Sequence, residues 1–333
     1  MNTRDKVQNW KNQKVLVIGE ALVDKYIFGY ADRISPDAPV PSIKVEEDET
    51  YLGAIGLVLK FIKSLGGIPE ICTIVGNDYE GDFFLKKIKE LQIDSPGIIV
   101  DDFINTPQVT RIKAMNQHLL RLETDYIQNI SESTRNKLYS TITSCSGDIG
   151  SILILDYGIG DLFEDLFVQK LLNIIKDNHP ETPIIARPSL GNYYLYENID
   201  MIRMNLLKAL HALSIDCCTD TSVSIVGKRI INTSKSKNAL LNYLESESYL
   251  FYKDKENFKK FPSSLTTPAR SFVAAGSVIM AILGLCYASG LSVEDSVELS
   301  LKGASFSAIL PPVHFFDQNE LTNHIEEQLN TQL

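Results

Sequence analysis

The chain has 333 residues, 44% hydrophobic and 22% charged, an ordinary globular make-up that allows one large α/β domain or two small ones. Its net charge of −10 disfavours a nucleic-acid partner and gives no reason to expect an anionic membrane surface. Cys72, Cys145, Cys217, Cys218 and Cys286 are odd in number and form no CxxC pair, so neither a disulfide framework nor a zinc site is indicated, and a reducing cytosol is expected.

The polar stretch 1–14 lacks the apolar core of a signal peptide. "KVLVIGEAL" (14–22) is a β-rich apolar run broken by Gly19, the pattern of a buried parallel strand and the turn after it. The Pro-punctuated stretch 24–50 reads as exposed strands and turns. "GAIGLVLKFIKSLGG" predicts a helix closed by glycines, "IPEICTIVG" a strand, and "YEGDFFLKKIKELQI" an amphipathic helix capped by Asp78. "PQVTRIKAM" and "HLLRLETD" predict a second strand pair.

Helix, strand, helix, strand and strand follow in "ESTRNKLYSTITSC", "SILILD", "DLFVQKLLNIIKDN", "TPIIAR" and "NIDMIRMN". This alternation predicts an α/β fold: a doubly wound, mainly parallel sheet covered on both faces. The strand pairs near 26–48 and 107–124 interrupt the rhythm and predict a small β lid within a single domain over 1–333. The Lys-rich stretch 252–270 reads as a charged surface loop. The apolar run 272–290, interrupted by Gly276, Ser277, Gly284 and Ser289, reads as a buried helix rather than a membrane span.

Ligands of open parallel sheets sit beyond the carboxyl ends of the strands. That rule selects Asp24, Asp156, Arg187, Asn205 and the turn Ala274–Ser277, where small residues open a helix as at an anion site. Asp24 and Asp156 suit either turn capping or sugar-hydroxyl binding. No GxxxxGK[ST] loop is present, and no GxGxxG follows the first strand. The histidines, His118, His179, His211, His314 and His324, form no HExxH and are expected on the surface or packed.

In this order the motifs resemble the PfkB/ribokinase family of carbohydrate kinases. The likeness leans to the heptose-7-phosphate kinase domains of ADP-heptose synthesis. It is carried by "VLVIGEALVDKYIFGYADRISPDAPVPSIKV", with support from "SLGG", "VGNDYEGDFF", "TPQVTRIKAMNQHLLRLE" and "LDYGIG". The resemblance implies a ribokinase-like fold, transfer of the ATP γ-phosphoryl group to a sugar hydroxyl, and paired strands that form a lid and commonly a dimer contact. It also implies that Asp24 is the sugar-binding aspartate.

The departures from the family pattern fall on its working residues. The sugar loop Gly-Gly-Ala-Ala-Asn reads Leu52-Gly53-Ala54-Ile55-Gly56, which puts Gly56 where the family has its binding Asn. Asp-Pro-Lys reads Arg187-Pro188-Ser189, and Asn-x-x-Glu, which supports the Mg²⁺ water shell, reads Asn205-Leu206-Leu207-Lys208. D-x-x-G-A-G-D ends on Ser277, where the family has its catalytic base. The glycine-bearing strand-turn expected before that motif is not evident near "YLFYKDKENF".

Serine is no base near neutral pH without a partner, and losing a positioned base costs on the order of 10²–10⁴ in rate. The exchange of acids for Arg187 and Lys208 would repel a metal ion yet could hold an anion. One expectation is a drifted site with Arg187 and Lys208 pointing into solvent; the other is a pocket for a sugar phosphate or another small anion, without turnover. Its substrate-binding positions are Asp24, Gly53, Gly56 and Asp156, and its anion-binding positions are Arg187, Asn205, Lys208, Ala275, Gly276 and Ser277. No catalytic or metal residue is assigned, and ATP with Mg²⁺ is expected only if the chain is an active kinase. The expected partner protein is a second copy docked through the lid, or an active relative.

Overall fold

The computed structural model describes residues 2–114, 117–124, 130–145, 148–215, 218–311 and 313–331; Cys217 lies outside them. Helix α1 (Thr3–Gln8) is closed by a reciprocal cap between Asn2 and Asp5. Then come β1 (Lys14–Gly19), β2 (Val23–Ile34), β3 (Pro41–Leu52), α2 (Ile55–Ser64), β4 (Ile68–Gly76), α3 (Tyr79–Glu90) and β5 (Ile98–Asp101). The middle of the chain forms β6 (Gln108–Ala114), β7 (Gln117–Thr124), α4 (Glu132–Ser144), β8 (Ser151–Leu155), α5 (Asp165–Asn178), β9 (Ile184–Arg187) and β10 (Met201–Asn205). The remainder forms α6 (Leu206–Ala212), α7 (Asp220–Ser234), β11 (Asn238–Asn242), β12 (Ser248–Tyr252), β13 (Lys259–Phe261), α8 (Ala275–Ala288), α9 (Val293–Ile309) and α10 (Gln318–Thr331).

The large sheet runs β13-β12-β11-β10-β9-β8-β1-β4-β5. Its pairings are parallel from β11 to β5 and antiparallel at β12 and β13. Side chains alternate across a strand, so Val15 and Val17 pack into one apolar core and Leu16 and Ile18 into the other. Burial on both faces is why β1 reads as a continuous apolar run. Helix α8 packs against α2, α9 and strand β8, and its stretch 277–286 is buried on all sides. A helix apolar all round belongs in a core. No helix among the described residues is long and apolar enough to cross a membrane.

A second, four-stranded sheet runs β3-β2-β6-β7, and the stretches 26–48 and 107–124 fall within it. Its register pairs Tyr26 with Arg111 and Arg111 with Arg121, while Ile27 pairs with Ile112 and Ile112 with Leu120. Residues two apart share a face. One face therefore carries Asp24, Tyr26, Arg111 and Arg121, and the other carries Ile27, Ile112, Leu120 and Leu122 beside Thr110 and the ion-paired Lys25 and Asp48.

The Lys-rich stretch 252–270 is not simply a loop. Lys259–Phe261 adds the edge strand β13, with Phe261 buried in the core. The flanking lysines stay outside, which is why composition hid the strand. Tyr249, Phe251 and Phe258 pack ring to ring beside it.

Candidate functional site

Beyond the carboxyl ends of β8 to β11 lies a cleft of about 720 Å³. It brings together Arg187 from the end of β9, Asn205 and Lys208 around the start of α6, and Ala275, Gly276 and Ser277 from the first turn of α8. These expected anion-binding positions are far apart in the chain, and parallel topology gathers them at one edge.

The cleft also holds Arg203, which sequence reasoning missed. It stands on β10 between Ile202 and Met204, only 6% exposed, with its Nε buried and unpartnered. A methyl group on Gly276 would stand 3.4 Å from Arg203 Nη1, an ordinary contact that places the guanidinium beside the helix start. Burial, and then Arg187, push Arg203 down to about 9, which leaves it a cation at neutral pH. The signal was available: an arginine inside an otherwise apolar strand has no reason to be there unless something answers its charge.

Arg187 Nη1 donates to the carbonyl of Asp156 at 3.0 Å, and its guanidinium lies 4.0 Å from the Tyr157 ring centre. Lys208 is exposed at the rim; partial desolvation, then Arg187, Arg203 and Arg121, lower its ammonium. Among the described residues no carboxylate pairs with Arg187, Arg203 or Lys208. The one acid lining the cleft, Glu245, is exposed.

Ser277 lines the cleft together with Tyr157, whose phenol feels the serine hydroxyl. Burial raises that phenol above its ordinary value, so it stays neutral near pH 7 and takes no proton from Ser277. The amides of Ala275 and Ser277 already donate to the carbonyls of Phe272 and Ala274, at 3.2 and 2.9 Å. The expectation that these two amides cradle an anion is corrected accordingly; the positive charge here comes from side chains. Asn205 lines the cleft, but its Oδ1 caps α6 by accepting from Lys208 N at 3.1 Å.

Two expected substrate positions also need correction. Asp156 is fully buried. Its Oδ1 accepts from Gly158 N, and its Oδ2 accepts from Ser189, Asn192 and Tyr196 at 3.0–3.1 Å. It organises the loop after β8 rather than facing a ligand. Gly56 is buried in α2, where a methyl group would stand 2.6 Å from Leu52 Cβ. Asp24 is neither a turn cap nor an open acid: it lies in β2 and is ion-paired with Arg111 of β6. Gly53 lies against that carboxylate, a methyl there being 2.7 Å from Asp24 Oδ2.

Glu20, after β1, was also missed. It is fully buried and accepts from the amides of Tyr157 and Ile159 at 2.7 and 2.9 Å. Burial, and then Asp156, raise its carboxyl to about 8. Glu20 and Asp156 together hold the loop that carries Tyr157 to the cleft.

A magnesium ion, which the resemblance implies for an active kinase, takes carboxylate and water oxygens. Three cations and one exposed glutamate do not fit it.

No family model matches the chain. Curated relatives do: the bifunctional protein HldE of Helicobacter pylori (strain HPAG1) is 27% identical over 293 residues, covering 88% of this chain and 62% of that protein. HldE of Campylobacter fetus is 28% identical over 286 residues, covering 86% and 60%. The chain thus spans about three fifths of the length of these relatives. A mutant of phosphofructokinase-2 from Escherichia coli superposes with a TM-score of 0.78 at 13% identity, covering 96% of this chain and 99% of that one. A ribokinase candidate from Agrobacterium tumefaciens gives 0.73 at 15% identity, with the same coverage. The fold is ribokinase-like, and the chain resembles PfkB-family kinases and about three fifths of HldE.

Proposed function

We propose that this chain is a PfkB-type sugar kinase homologue kept for binding or regulation, a pseudokinase whose cleft holds a sugar phosphate or another small anion without transferring phosphate. The observation that carries the reading is Ser277, at the base position, lining one cleft with Arg187, Arg203 and Lys208 and a single exposed glutamate. Phosphoryl transfer needs a group to take the hydroxyl proton and acids to hold the metal. Here a serine stands at the base position, and one arginine and one lysine stand where the family pattern has acids. Purified chain, ATP, Mg²⁺ and heptose 7-phosphate should release no ADP above background. Sustained turnover that survives removal of contaminating kinases would overturn the reading.

The second reading is an active ATP-dependent kinase acting on a sugar phosphate such as heptose 7-phosphate. The likeness to HldE over most of the chain favours it. The same assay separates the two.

We further propose a cytoplasmic setting and pairing with a second copy through the small sheet. Leu120 and Leu122 on its apolar face are 51% and 45% exposed, and Ile27 and Ile112 lie beside them in register. Contiguous exposed apolar residues mark contact surfaces.

A further inference from the structure

The arginine buried beneath the first turn of α8 has no counter-charge of its own. Burying a guanidinium is costly unless an anion meets it. Arg203 is nearly sealed in protein, its Nε has no partner, and it borders an open cleft also lined by Arg187 and Lys208. Inside a low-dielectric wall such charges attract an anion far more strongly than surface lysines do. The rest of the molecule is acidic, so the cleft is a local exception to a net charge of −10.

We infer that the cleft takes a phosphate dianion directly on the guanidinium of Arg203, flanked by Arg187 and Lys208, with no metal ion between protein and ligand. This rests on the reading of the cleft as a metal-free anion site and adds the receptor group and the charge state of the ligand. A guanidinium presents a planar fork that matches two phosphate oxygens, whereas an ammonium offers a point charge. A volume of about 720 Å³ holds far more than a phosphate group. The remainder of the ligand would lie along Tyr243, Leu244, Phe272 and Val273, a largely apolar wall. The dianion is either a sugar phosphomonoester or the terminal phosphate of a nucleotide.

Calorimetric titration tests this with inorganic phosphate, ADP and heptose 7-phosphate, each in EDTA and in excess Mg²⁺. ADP or heptose 7-phosphate should bind in EDTA, the tighter of the two naming the source, with inorganic phosphate weaker. Mg²⁺ should weaken the binding by chelating the free anion. Arg203→Met should weaken it at least tenfold while the melting temperature of the ligand-free chain holds or rises, because an unanswered buried charge is gone. Should that variant fold poorly, Arg203→Lys keeps the charge without the fork and should still weaken binding several-fold. Binding that appears only with Mg²⁺, no binding in EDTA, or unchanged affinity in a folded Arg203 variant would each overturn the inference. Turnover in the kinase assay would sink the non-catalytic reading without touching metal-free binding, so the two failures are distinguishable.

Discussion

Glu20 shows how a single side chain can tie the site to the solution around it. An ordinary glutamate titrates near 4.5, and burial lifts this one to about 8. Between those values the unfolded chain has released its proton and the folded chain still holds it. The folded state therefore binds more protons, and its stability falls as pH rises through that window. The melting temperature should decline from about pH 5 to about pH 8, and Glu20→Gln should flatten that slope. A wild-type chain that grows more stable over the same range would refute the assignment. Ala54 is a second residue under constraint, with φ of 43° and ψ of −119° at the start of α2. A side chain strains that region and glycine does not. Ala54→Gly should stabilise the chain by about 1 kcal/mol, the relieved strain outweighing the glycine's added unfolded-state entropy; urea unfolding reads it.

At the scale of elements, the small sheet depends on one buried ion pair. Asp24 on β2 and Arg111 on β6 have side chains only 7% and 15% exposed. Removing one partner leaves the other charge buried and alone, which costs about 3–5 kcal/mol. Arg111→Met and Asp24→Asn should each destabilise by an amount of that order, and the double variant by less than their sum. Urea midpoints of the four chains measure it, and simple additivity would refute the coupling. Asp24 could be singled out from the sequence by its place after β1, but its partner lies 87 positions along the chain and only the parallel pairing of β2 with β6 reveals it. The same limit explains the other misses. Strands with strong apolar runs, such as Lys14–Gly19 and Ser151–Leu155, announce themselves, whereas Lys259–Phe261 buries one residue of three and Ile98–Asp101 is four residues long. At the cleft, Arg187, Lys208 and Ser277 were legible because each replaces an acid of a recognisable motif. Arg203 belongs to no motif, Glu20 and Tyr157 sit inside quoted motifs that gave them no role, and only folding brings the three to the same place.

For the whole molecule the open question is what covers the outer face of the small sheet. Its edge strand β3 carries the acidic run Glu46-Glu47-Asp48-Glu49, and like charges along an edge discourage strand-to-strand pairing there. On the face, Asp48 of that run is paired with Lys25 and stands at the end of an apolar row. Ile27, Ile112 and Leu120 align across three strands, and Leu122 follows on β7. Leaving that row in water forfeits roughly 25 cal/mol for each Å² of apolar surface that a partner would cover. A second copy presents the same row, so a two-fold contact is self-complementary. The wild-type chain should therefore sediment as a dimer. Replacing Leu120 and Leu122 by Lys puts like charges against each other across that axis and should give a monomer with an unchanged circular dichroism spectrum. A monomeric wild-type chain, or a Leu120→Lys/Leu122→Lys variant that still sediments as a dimer, would rule this face out as the contact.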